Sequence, residues 1–115
     1  MIKNQSKGNL LAPSCTLCSS FFSRAKGLMF SREPRALVMA FPKEQKIGIH
    51  MMFVFFPIDV LWLDDEQHVV AMRENLAPWK TASPQEAAKY VIELPSGAIK
   101  ASGTTLGDEI TWVCV

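Results

Sequence analysis

The sequence has no apolar run of membrane-spanning length, only three cysteines, two histidines and one tyrosine, and almost no excess of either charge. Each shortage excludes something. Stretches such as Met51 to Phe56 fall far short of the ~20 apolar residues that a spanning helix needs. Leu10-Leu11-Ala12 before Pro13 is likewise too short for the centre of a secretory signal. With 12 Lys and Arg against 11 Asp and Glu, the formal charge is +1, which offers little to a phosphate backbone, so no nucleic-acid partner is expected. Three cysteines cannot all pair within one chain, and 115 residues bury enough surface to fold without staples, so reduced thiols and a cytoplasmic setting are expected. The six glycines are dispersed, which excludes a phosphate-cradling loop, and no Gly-x-Ser-x-Gly elbow is present. Cys15, Cys18 and Cys114 with His50 or His68 lack the second ligand pair of a closed zinc site, so neither metal nor cofactor is expected.

What remains is an ordinary globular composition, 49% apolar and 20% charged, in the range that folds as one domain. Residues 1–8 are polar and read as a loose terminus, leaving 9–115 as a single β-rich domain. A short strand is expected over 9–12. Ser14 then serves as a helix entrance and Gly27 as its close, with Leu17, Phe21 and Leu28, or Cys18, Phe22 and Ala25, recurring at helical spacing; one helix of about three turns over 15–26 follows. Residues 36–41 read as a buried strand with a hairpin partner over 47–56. A second hairpin joins 58–63 to 68–72 across the acidic turn Asp64-Asp65-Glu66. The stretch 74–88 lacks a period and is expected to be irregular, with a turn of helix at 84–88. Strands over 89–94 and 109–114 complete an α+β, β-rich fold: a small curled sheet or barrel of mostly antiparallel strands with one main helix near the N-terminus.

Four motifs in this order resemble a known family: Arg24-Ala25-Lys26-Gly27-Leu28-Met29-Phe30, His50 through Phe56-Pro57-Ile58-Asp59-Val60, Tyr90-Val91-Ile92-Glu93-Leu94-Pro95-Ser96-Gly97, and Gly107-Asp108. Together they are similar to domain of unknown function family 192 over residues about 9 to 113. The resemblance implies a compact β-barrel-like domain with a helix after the first strand, and no established activity. Where the common bacterial pattern places polar residues after the histidine, this chain has Phe53 to Phe56.

The run IHMMFVFFPIDV brackets greasy residues with His50 and Asp59. As a strand it is apolar on both faces and would be central. Its two polar ends would then stand about 25–30 Å apart at ~3.3 Å per residue, so only curvature could bring them together. One reading places Arg24, His50, Asp59 and, from the irregular loop, Trp79 around a pocket for a small polar ligand or a protein partner. The plainer reading stands ahead of it: Asp59 accepts hydrogen bonds from the backbone or from Arg24 after the proline turn, and His50 is a satisfied core group. Cys15-Thr16-Leu17-Cys18 resembles a redox pair at a helix start, but without thioredoxin-like strand and helix alternation Cys18 is more simply a small core residue. The expected function is therefore an accessory ligand- or protein-binding domain. The alternatives are a hydrolase-like enzyme using His50 and Asp59 as acid and base, and a scaffold or homo-oligomer associating through apolar surface.

Overall fold

The computed structural model describes residues 1–114, apart from the side chains of Phe21 and Phe22. Ten strands and two short helices follow in the order β1 (Ile2–Asn4), β2 (Asn9–Ala12), β3 (Thr16–Cys18), α1 (Phe21–Lys26), β4 (Leu37–Lys46), β5 (Ile49–His50), β6 (Ile58–Leu63), β7 (Val69–Leu76), β8 (Thr81–Ala82), β9 (Ala87–Pro95), α2 (Ala98–Ser102) and β10 (Ile110–Trp112). The class is α+β and strand-rich, with antiparallel pairing throughout except between β3 and β4.

A five-stranded sheet, β3-β4-β9-β6-β7, is the frame. The inner strand β6, between β9 and β7, is buried at all six positions because both faces of the sheet are covered. Val60 and Trp62 point into one apolar cluster with Met39, Val91, Leu28 and Met51. Leu61 and Leu63 point into the other with Ile92, Leu94, Ile2 and Ile110. The second cluster is roofed by the three-stranded sheet β10-β1-β2 and by α2. The first is roofed by the chain after α1, through Leu28, and by the β5–β8 pair, with the Trp62 indole N–H donating to the Ile47 carbonyl at 2.9 Å.

Several expectations are corrected. The sheet does not close into a barrel, since β3 and β7 remain its edges. No three-turn helix occupies 15–26: Thr16–Cys18 is an edge strand parallel to β4, and Ser20 opens α1 through a reciprocal cap with Ser23. Pairing Leu17 and Cys18 with Val38 and Met39 outweighs their helical spacing, because it supplies ladder bonds to backbone that would otherwise face solvent. The part of that spacing carried by the Phe21 and Phe22 side chains lies outside the described residues, as does Val115 at the expected domain end. A second helix, α2, stands near the other end of the chain, and 84–88 contains no helical turn.

Residues 1–8 are not a loose terminus. Ile2 and Asn4 are fully buried, and β1 is the central strand of its sheet. Asn4 donates to Thr104 Oγ1 and Asp108 Oδ2, both at 2.9 Å, while Lys7 pairs with Asp108 at 2.9 Å. Burial pushes the Asp108 carboxyl up, but the bonds from Asn4, Lys7 and the Thr105 N–H, with the Lys7 charge, outweigh it and hold the group at about 2. The reduced-thiol expectation also fails: Cys15 and Cys114 form a disulfide across 99 positions, and Cys18 alone is a buried thiol.

Candidate functional site

Two irregularities open a cleft against the first apolar cluster. Pairing between β4 and β9 steps from Ala40↔Tyr90 to Gln45↔Ala88, so four residues of β4 bow out against one of β9, as a bulge does. After that bow the chain leaves the sheet, and β5 pairs with β8 instead, Ile49↔Ala82 and His50↔Thr81. The expected long partner strand over 47–56 therefore reduces to two residues. Beyond it the Val54 N–H donates to the Met51 carbonyl at 3.1 Å, closing a turn in which Phe53 is left-handed at φ 59°; a turn of that kind cannot continue a ladder.

The cleft lies between α1 with its following residues on one side and the β4 bow with β5 on the other, and has a volume of about 540 Å³. Leu28, Ile47, Ile49, Met51 and Val54 make it apolar, while Arg24, Lys26, Lys43 and His50 supply polar ends. Arg24 is fixed in place: its guanidinium donates to the Ser19 carbonyl and to the Ala40 carbonyl, the latter at 3.2 Å, and lies 4.9 Å from the Phe41 ring centre. It thereby clamps the helix to the start of the bow. His50 lines the cleft and is exposed rather than a core group.

Glu93 completes the lining. It shares the Val91 face of β9 and is only 5% exposed. Among the described residues no hydrogen bond or ion pair reaches its carboxyl, and every fully enclosed side-chain oxygen or nitrogen there has a partner. Its oxygens must therefore open on the cleft. Burial pushes the carboxyl up to about 7, because no neighbouring cation or donor compensates the lost hydration. Burial and then the Glu93 charge also push the Cys18 thiol up.

Of the residues expected to gather here, Arg24 and His50 do so; Asp59 and Trp79 do not line the cleft. Asp59 alternates with Leu61 and Leu63, on the opposite face of the sheet. It is fully buried there, and its carboxylate accepts from the Asn75 N–H at 2.9 Å, the Gly97 N–H at 3.1 Å and the Ile99 N–H at 2.9 Å. It thus caps α2 from a distant strand, and the His50–Asp59 acid–base pair is not assembled. Trp79 is 57% exposed, held by its N–H to the Met51 carbonyl at 2.9 Å. Its ring meets Phe53 edge-on at 5.1 Å, and Phe53 stacks on Phe30 at 4.8 Å. All three have positive φ, an uncommon conformation for bulky residues. This aromatic row adjoins the cleft through Met29, Met51 and Val54, which line it.

Glu93 is the residue that the sequence reading passed over. A signal existed: a lone acid between Ile92 and Leu94 in the run Val91 to Leu94, which is otherwise apolar and buried on both faces. The cysteine set weighed for zinc and set aside is divided by the disulfide, and no cluster of three or more His, Cys, Asp and Glu residues able to hold a metal occurs among the described residues. No described helix is long and apolar enough to cross a membrane.

Two solved structures share the fold. One, from Sinorhizobium meliloti, is a protein named as a proposed transcription regulator, with TM-score 0.80 and 24% identity over 84% of this chain and 79% of that one. The other, a protein of unknown function from Novosphingobium aromaticivorans, has TM-score 0.79 and 20% identity over 85% and 74%. Sequence relatives are nearer. A UPF0127 protein of Pyrococcus horikoshii is 38% identical over 97% of this chain and 98% of its own length, and one of Thermococcus sibiricus is 36% identical over 97% and 74%. The model of the DUF192 family, described as Uncharacterized ACR, matches residues 2–112, and the chain belongs to that family.

Proposed function

We propose that this protein is an accessory binding domain whose cleft beside α1 holds a small ligand, with Glu93 on the floor and Arg24 and His50 on the walls. The observation that carries the reading is the unpartnered, nearly buried carboxyl at the base of an apolar cleft of about 540 Å³, a volume within the range of small-molecule sites. An orphan polar group lowers the stability of the apo fold, and a ligand that satisfies it recovers that loss. The test is a small-molecule screen read by melting temperature and by amide resonances of Gly27, Ile49 and Glu93, since a ligand of the folded state raises its stability. A broad screen in which nothing moves those resonances overturns the reading.

A second reading, self-association through apolar surface, is supported by the exposure of Phe30, Met52, Phe53, Phe55 and Trp79, side chains that a monomer gains nothing by presenting to water. A molecular mass by light scattering that rises with concentration, and falls back in Phe53→Ser, supports it; a constant monomer mass overturns it. The hydrolase alternative loses its carboxylate, which is engaged by three backbone donors. The regulatory role proposed for the Sinorhizobium protein is not carried over, because a chain of formal charge +1 has little attraction for nucleic acid. A cytoplasmic setting belongs to this proposal only where thiols can remain oxidised, given the Cys15–Cys114 bond.

A further inference from the structure

The cleft has an internal charge order. Its floor is one carboxylate without a compensating cation. The cations that line it are Arg24 and Lys26 from α1 and Lys43 from β4, with the His50 imidazole from β5 also on the lining; the thiol of Cys18 on β3 senses the carboxyl's charge. Arg24 already serves two backbone carbonyls, and Lys26 and Lys43 are exposed, where solvent screens them. Between floor and rim, Leu28, Ile49 and Met51 offer an apolar passage.

Resting on the reading of this cleft as a binding site, we propose that it selects a primary ammonium or guanidinium group on a short apolar stem that ends in an anion. The cation meets Glu93 in a charge-assisted hydrogen bond, the stem displaces water from the apolar walls, and the anion remains at the cationic rim. A cation bonded to a desolvated carboxylate is worth more than the same contact in water, and each methylene buried along the apolar walls tightens binding further. A carboxylate on the floor would instead meet like charge, and a second cation at the outer end would meet Lys26 and Lys43.

The probes are 6-aminohexanoate, hexylamine, hexane-1,6-diamine and hexanoate, titrated at about pH 8, where Glu93 is ionised given its position at about 7. Amide shifts of Gly27, Ile49 and Glu93 report the site. The expected order of affinity is 6-aminohexanoate, then hexylamine, then the diamine, with hexanoate weakest. Glu93→Gln, which keeps shape and removes charge, should weaken 6-aminohexanoate and hexylamine by about tenfold or more while leaving hexanoate unchanged or tighter. Hexanoate binding as tightly as hexylamine, or no loss in Glu93→Gln, overturns the cation preference and leaves the cleft a binding site. If none of the four probes moves the cleft resonances, this inference falls; the binding-site reading falls only if the broad screen is also silent.

Discussion

Gly27 closes α1 directly over the carboxyl of Glu93: a methyl group on its Cα would stand 3.6 Å from Oε1 and 3.9 Å from Oε2. Those are ordinary contact distances, so space is not what requires glycine here. The backbone is, at φ 50° and ψ −125°, a region that side-chain-bearing residues rarely enter. Gly27→Ala should therefore cost about 1–2 kcal/mol, seen as a lower urea midpoint at unchanged slope. A midpoint equal to wild type would show that the residue does not need its glycine.

Glu93 ties stability to pH in a definite direction. Its folded value, about 7, lies above the ordinary 4.5, so between the two the native state binds more protons than the unfolded chain and stability falls as pH rises. The penalty is absent below the unfolded value and complete above the folded one, reaching about 3 kcal/mol. Glu93→Gln removes it. The variant should melt well above wild type at about pH 8 and close to it at about pH 5; parallel melting temperatures across that window would contradict the assignment.

Asp59, on β6, holds the start of α2 and the end of β7 to its own strand through three backbone donors. Asp59→Ala leaves those donors facing a buried gap and should cost about 3–5 kcal/mol, enough to threaten folding. Asp59→Asn retains one acceptor oxygen and should cost less than half as much. Amide exchange distinguishes this role from a general loss of packing, because Gly97 and Ile99 should lose protection first.

The Cys15–Cys114 bond joins the approach to β3 to the segment after β10 across 99 positions. Closing so long a loop restricts the unfolded chain, and its loss should cost about 2–5 kcal/mol. Reduction, or Cys15→Ser with Cys114→Ser, should lower the melting temperature by similar amounts, whereas Cys18→Ala should leave the effect of reduction intact. A melting temperature indifferent to reductant would argue that the ends of the domain are held by packing alone.

Strands that carry their own two-sided or alternating apolar pattern could be read directly. Residues 58–63 and 9–12 form strands as expected, and Asp59 accepts backbone donors, one of the two kinds the plainer reading allowed, while Arg24 serves the Ser19 and Ala40 carbonyls instead. Cys18, too, is the small core residue that its neighbours implied. These are consequences of local alternation and of the need of a buried carboxylate for donors. The greasy run after His50 misled for the same reason: hydrophobicity reads as strand, yet Met52, Phe53 and Phe55 are exposed at and just after a turn in which Phe53 is left-handed, a conformation that composition does not encode.

Composition, charge and residue periodicity were thus sufficient for the class of molecule and its β-rich body, because those follow from burial and from bonds between near neighbours. Folding alone chose which carboxylate serves which purpose: β6 turns Asp59 toward α2, and β9 turns Glu93 toward the cleft. That choice depends on strand register and on a bow in β4, which set the face of each side chain through contacts far apart in the chain. The closing of Cys15 on Cys114 was decided in the same way, by a meeting of two ends that no local pattern foretells.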